Sequence, residues 1–374
     1  MKHLSNILRL GIKELYSLWQ DTVLLILIAV MFTVAVHSAA KAMDRDLHNA
    51  RIAIVDEDHS QLSSRIVTAF YPPYFNYARA ISKDEIDPGL DSGRFTFVLD
   101  IPPEFEKDVL AGREPAIQVN IDATQMSQAY IGQNYIRAIV TGQVNEFVER
   151  QRRDVRPPIR LTVRVKFNPN LDGIWYGGIM EIINQVTMLS IILTGAAVIR
   201  EREHGTLEHL LVMPLTPFEI MAAKVWANGL VVLVGAAMSL KFVVEGVLGM
   251  PIAGSVPLFL LGAMLHLFST TSMGILLATV VRSMPQFGLL MILVVLPMYL
   301  LSGGVTPRES MPEAIQNIML AAPTTHFTGL AQAILYRGAG FDIVWPQFAA
   351  IVSLGLVFFV VALLRFRASL AAQS

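Results

Sequence analysis

Long apolar runs separated by short polar breaks cover most of this chain, and that pattern belongs to a membrane protein. The runs fall at 22–40, 175–199, 218–240, 256–281, 286–302 and 347–364. A helix needs about 20 predominantly apolar residues to cross a bilayer, so each run predicts one transmembrane helix, the fifth at the short end of the range. Ahead of the first run, Leu4, Ile7, Leu8, Leu15, Leu18 and Trp19 recur at helical spacing, with Lys2, Arg9 and Lys13 among them. This predicts an amphipathic helix over 1–21 lying on the membrane face, followed by a first span over 22–43. A cleaved signal peptide competes with that reading, because Ala40-Lys41-Ala42 imitates a small-residue cleavage site. The long amphipathic basic region, and an apolar run beyond the usual ~7–15 residues, favour a retained anchor.

Residues 44–172 break the pattern. Segments 51–55, 95–99, 117–121 and 161–165 read as strands. Segments 61–70 behind Ser60, 103–111 ahead of Gly112, and 126–153 read as helices. The fold class is therefore a mostly α polytopic membrane protein. It has six transmembrane helices, an N-terminal amphipathic helix, and an α/β domain over 44–172 between helices 1 and 2. Residues 173–374 carry the other five spans. Orientation follows from Lys2, Arg9 and Lys13 before the first span, Arg282 between the fourth and fifth, and Arg365 and Arg367 after the sixth. A cytoplasmic N-terminus puts all of them inside, as the positive-inside tendency prefers, and puts the 44–172 domain outside.

Composition narrows the chemistry. The chain is 53% hydrophobic and 16% charged, against roughly 25% charged in soluble domains. A net charge of −1 offers no basic field for nucleic acid. The absence of cysteine excludes disulfides, thiolate metal sites and a Cys nucleophile. Asp56-Glu57-Asp58 follows a predicted strand, where a divalent cation is one reading and a solvated loop entering a helix N-terminus the simpler one. Arg150, Arg152, Arg153 and Arg156 read as a solvated helix end.

The most informative stretch is 200–217, R-E-R-E-H-G-T-L-E-H-L-L-V-M-P-L-T-P, a charged insert between the second and third spans. Gly205 interrupts the helix that continues from the second span, and 206–213 can form a short second helix that Pro214 would stop. Thr216 at N-cap, Pro217 at N1 and Glu219 at N3 make a capping box that opens the third span. The charges of Arg200, Glu201, Arg202, Glu203 and Glu208 are expected to face a cytoplasm where nothing else in the chain pairs with them. A short, rigid, charged element hung between two spans suits a subunit that receives force from a soluble partner, so transport is favoured over chemistry. His204 and His209 do not match H-E-x-x-H spacing.

That stretch resembles the signature segment of ABC-2-type permeases, the membrane subunits of one class of ATP-binding-cassette exporters. L-S-G-G-V-T-P-R-E-S-M-P from Leu301 and A-P-T-T-H-F from Ala322 fit the outer segment, here 303–346, that forms short re-entrant helices in that family. The resemblance covers essentially the whole chain and looks like the bacterial inner-membrane, drug-efflux-like subgroup with a large periplasmic domain. It implies a homo- or heterodimer of permease subunits, each docking its insert on a separate ATPase. Arg200, Glu201, Arg202, Glu203, Gly205, Thr206 and Glu208 would be the coupling contact, with Glu203, Gly205 and Glu208 foremost. It also implies cytoplasmic termini, a periplasmic placement for 44–172, and a periplasmic membrane-fusion adaptor as a further partner.

The chain has no G-x-x-x-x-G-K-[ST] and so no phosphate-cradling loop. No cofactor of its own is expected, ATP is used by the partner subunit, and the chain by itself is not an enzyme. Asn184, Gln185 and Thr187 in the second span and His266 in the fourth are the pathway-lining candidates, because polar residues in spans face a bundle interior or cavity, with interhelical hydrogen bonding the competing reading for Asn184 and Gln185. Residues 269–272, all Ser or Thr, fit helix packing. The expected function is outward transport of an amphipathic drug-like or lipid-like molecule. An export subunit for a lipid-linked glycan or polymer is the alternative, and a membrane sensor the less favoured third. Secondary transport is disfavoured by the scarcity of carboxylates within the spans, where Glu181 is the one obvious example.

Overall fold

The computed structural model describes residues 2–42, 47, 49–122, 126–151, 173–205 and 215–371. The chain divides into two units, Met1–Met43 with Phe167–Ser374, and Asp44–Lys166.

In the first unit every predicted span is a helix: Thr22–Ala42, Gly173–Glu203, Pro217–Val247, Val256–Val280, Met284–Leu301 and Phe341–Ala368. A separate helix, Lys2–Gln20, precedes them, and Asp21 starts the first span by accepting a hydrogen bond from the Leu24 N–H at 3.0 Å. The start of the third span is as the sequence implies, with Thr216 and Glu219 capping each other's backbone and Pro217 in the first turn. The second and fourth spans form the centre. Packing between apolar helices in lipid depends on close approach by small residues and on interhelical hydrogen bonds. Both are present here: Gly274 lies directly against the Ile191 carbonyl, and the Ser190 hydroxyl donates to Thr270 Oγ1 at 2.6 Å. Thr270, Thr271 and Ser272 also donate to the carbonyls of His266, Leu267 and Phe268 one turn back in their own helix at 3.0, 2.6 and 2.7 Å, which satisfies these hydroxyls within the span.

A Cβ on Gly274 would come within 2.7 Å of the Ile191 carbonyl oxygen, whereas one on Gly288 in the fifth span meets nothing within 4 Å. Gly274→Ala is therefore expected to destabilise by about 1–3 kcal/mol through overpacking, and Gly288→Ala to leave the unfolding temperature in detergent nearly unchanged. Equal unfolding temperatures for the two variants would refute this account of the second–fourth span contact.

Between the fifth and sixth spans lie the helices Glu313–Ile318 and Pro323–Leu335. The second is largely buried through Phe327, Leu330, Ala331 and Ile334. The fifth span is the barest: Leu289 and Leu293 are 72% and 71% exposed.

The second unit is built on a four-stranded sheet of order β2-β1-β3-β4, with β1 Ile52–Asp56, β2 Arg79–Ala80, β3 Phe97–Ile101 and β4 Gln118–Ile121. β1 pairs parallel with both β2 and β3, and β3 antiparallel with β4. β1 and β3 are buried along almost their whole length, as strands covered on both faces are. Leu62, Ile66, Phe70, Phe105, Ile136 and Phe147 pack with Ile52, Ile54, Phe97 and Leu99 on one side, and Ile86 and Phe95 with Ala53, Val55 and Val98 on the other. Ser60 caps the Gln61–Thr68 helix in a capping box with Ser63. The Asp56 carboxylate accepts from the Ser63 hydroxyl at 2.8 Å and from the Asp58 and His59 N–H groups at 3.1 and 3.0 Å, while Asp58 accepts from the Glu106 N–H in the first turn of the Phe105–Leu110 helix at 3.1 Å. β2 has only two residues and no pattern to announce it. The segment 161–165, and Arg152, Arg153 and Arg156, lie outside the described residues.

Candidate coupling site and membrane cavity

Arg200–Glu203 form the last turn of the second-span helix, which Gly205 ends at φ +68°, a conformation glycine adopts without strain. The expectation that these charges lack partners within the chain does not hold. Arg200 Nη1 lies 3.4 Å from Asp21 Oδ2. Glu201 Oε1 is 2.7 Å from Lys224 Nζ and 3.5 Å from Lys13 Nζ. Arg202 Nη2 donates to the Val281 carbonyl at 2.6 Å, and Glu203 Oε1 accepts from the Met284 N–H at 3.0 Å. The reason is geometric. Successive residues on a helix point about 100° apart, so four consecutive charges reach around it to the N-terminal helix, the third span and the connection between the fourth and fifth. Thr206, Glu208, His209 and the expected helix over 206–213 lie outside the described residues.

Lys224, within the third span, is the centre of this arrangement. It is 2% exposed, and besides Glu201 it meets Glu14 of the N-terminal helix at 3.3 Å. Lys13 joins the same pair of carboxylates from the outside, 3.3 Å from Glu14. Burial disfavours the Glu14 carboxylate, but Lys224 and then Lys13 outweigh it and hold the carboxyl below its ordinary 4.5. Further along, the Trp226 indole N–H donates to the Ile7 carbonyl at 3.2 Å, and Gly11 sits directly on the Trp226 ring. His3 and Asn6 reach Glu219 at 3.1 and 2.8 Å. The N-terminal helix is thus fixed along the third span by one face, while Leu4, Leu8, Ile12, Tyr16 and Trp19 are exposed on another. Sequence reading passed over Lys224 and Glu14. A lysine eight positions into a span was the available signal, since ionisable residues there are rare and functional by default.

Farther along the second span, Asn184, Gln185 and Thr187 line a cavity of about 430 Å³ together with Glu181, Met31 of the first span, and Met291 and Tyr299 of the fifth. Gln185 Nε2 donates to Glu181 Oε1 at 2.5 Å. His266 is fully buried behind this wall. Its Nε2 is 2.9 Å from Thr187 Oγ1, and its ring stacks on Phe327 with centroids 4.3 Å apart. The structure therefore brings Asn184, Gln185 and Thr187 together in one wall and places His266 one layer deeper.

Comparison with known proteins adds the following. The family model described as ABC-2 family transporter protein matches residues 18–364. The chain is 61% identical over 367 residues to the inner membrane transport permease YhhJ of Escherichia coli (strain K12), covering 98% of each chain. It is 30% identical over 338 residues to the probable multidrug ABC transporter permease YbhR of the same organism, covering 89% of this chain and 90% of that one. With the probable multidrug ABC transporter permease YbhS it shares 26% over 303 residues, 78% of each.

Proposed function

The chain belongs to the ABC-2 transporter family and is a permease of that type; from this premise we propose that it is the inner-membrane subunit of an ATP-driven exporter. A separate ATPase drives it, and an amphipathic drug-like or lipid-like molecule leaves through the cavity beside Asn184, Gln185 and Thr187. The observation that carries this reading is the last turn of the second span. Arg200–Glu203 tie the end of the second span to the N-terminal helix, the third span and the start of the fifth. A push on residues just beyond Gly205 is transmitted to all three at once. Arg200, Glu201, Arg202 and Glu203 are then transmission residues, and Gly205, Thr206 and Glu208 fall to the ATPase contact.

The N-terminal helix lies in the cytoplasmic membrane interface with its exposed apolar stripe toward lipid. Both termini are cytoplasmic, and the Asp44–Lys166 unit is periplasmic, where a membrane-fusion adaptor can meet it. The bare face of the fifth span is where a second permease subunit or lipid packs. The relatives named as multidrug permeases support an amphipathic cargo.

Co-purification in mild detergent tests the reading. Wild-type permease is expected to retain an ATP-binding-cassette ATPase, and Glu208→Arg to lose most of it at an unchanged unfolding temperature. Wild-type preparations that keep two permease copies yet carry no ATPase would sink it.

A further inference from the structure

Among the described residues, the cavity of about 430 Å³ has one acid in its wall, Glu181, and no Lys, Arg or His. Neutral polar groups of Asn184, Thr187, Tyr299 and Thr324 share its lining with a soft apolar side of Met31, Met188, Met291, Ile292, Val295 and Leu296. The Glu181 carboxylate has a neutral donor, the Gln185 amide at 2.5 Å, and is partly exposed. Within the second span it stands 19 residues from Arg200, about 28 Å along the helix axis, in the half of the membrane opposite the coupling turn. An ionised carboxylate inside a membrane is costly unless a cation or polar cavity compensates it.

We propose that this cavity selects amphiphilic cations: Glu181 supplies the counter-charge, and the methionine-rich wall accommodates apolar bodies of varied shape. The inference rests on the exporter reading for its direction but not for its chemistry. Methionine is unbranched and polarisable, so a Met wall adapts to differently shaped partners, while the single fixed feature is a negative charge. Cargo specificity is thus set by sign of charge more than by outline. Gln185 is a positioning residue, holding one carboxylate oxygen and leaving the other for the cargo.

The test uses full-length permease in lipid nanodiscs and two probes of similar bulk, tetraphenylphosphonium as a permanent cation and triphenylphosphine oxide as a neutral body, each measured against empty nanodiscs. Wild type is expected to bind the cation. Glu181→Gln should weaken it about 10–100-fold, the range of a lost charge-assisted contact, with neutral binding unchanged. Glu181→Asp should keep the preference for the cation. Met291→Trp, which fills the cavity, should weaken both probes. Equal cation binding by wild type and Glu181→Gln would overturn the proposal, and so would parallel loss of both probes in Glu181→Gln at an unchanged unfolding temperature. Failure of wild type to bind either probe would remove the cavity as a cargo site. None of these outcomes touches retention of the ATPase, so the ATP-driven reading is tested separately, and only the exit route through the cavity falls with the probes.

Discussion

Lys224→Met is expected to lower the stability of the permease by about 3–5 kcal/mol, the range for removing one partner from a buried ion pair, and to abolish transport with it. The substitution keeps the length and apolar stem of the side chain, so lost packing contributes little. What remains is Glu14 and Glu201, each 12% exposed, facing each other with only the half-exposed Lys13 nearby. The unfolding temperature in detergent reads the loss. The triple variant Lys224→Met, Glu14→Gln, Glu201→Gln should recover most of it, because a buried ionic set replaced as a whole is often neutral where a broken one is not. Transport should stay low in the triple variant, since the ionic link between the N-terminal helix and the Arg200–Glu203 turn is then gone. An unfolding temperature for Lys224→Met equal to wild type would refute the role given to the network.

The same site carries a pH signature. The Glu14 carboxyl is depressed below 4.5 in the folded state, so the unfolded chain takes up its proton first as pH falls. The stabilisation is complete above about pH 4.5 and disappears as pH drops through the lower folded value. Wild type should therefore exceed Glu14→Gln in stability near neutrality and converge with it in acid.

The spans, the Gly205 break and the Thr216–Glu219 capping box were legible because each is local: about 20 apolar residues, one glycine at positive φ, four residues of cap chemistry. β1 and β3 were legible to within two residues, since buried β-branched and aromatic runs are a short-range pattern. The partners of Arg200–Glu203 were not. Lys224 is more than 200 residues from Glu14, and Met284 about 80 from Glu203. Helix periodicity says how charges are spaced around an axis but not which neighbour each one meets. The cavity divides in the same way. Asn184 and Gln185 stand out as polar positions in an apolar run, but Met31 and Met291 are ordinary span residues until the first and fifth helices are placed beside the second. Thr187 was legible as polar, yet its engagement with His266 at 2.9 Å is a fact of packing.

Gly11→Leu is expected to be as damaging as any change on the N-terminal helix, although the position is a small residue on a surface-type element. A Cβ there already falls among the atoms of the Trp226 ring, so a leucine side chain has no room unless the helix lifts from the third span. Lifting breaks the Trp226–Ile7 hydrogen bond, the Glu14–Lys224 ion pair and the His3 and Asn6 contacts to Glu219 as a group, because all lie on one face of one helix. Transport should fall to near background, and hydrogen exchange over residues 2–20 should quicken. The six spans, to whose cores this helix adds only the partly buried Leu10 at the edge, should stay folded. Trp226→Ala empties the space that the introduced leucine side chain needs, so the double variant Gly11→Leu, Trp226→Ala should transport better than Gly11→Leu alone. That sign is the discriminating observation: independent defects would make the double variant worse, and only a shared steric contact makes it better. Wild-type transport and exchange in Gly11→Leu would mean that the helix is not clamped to the third span, and that transport does not depend on that clamp.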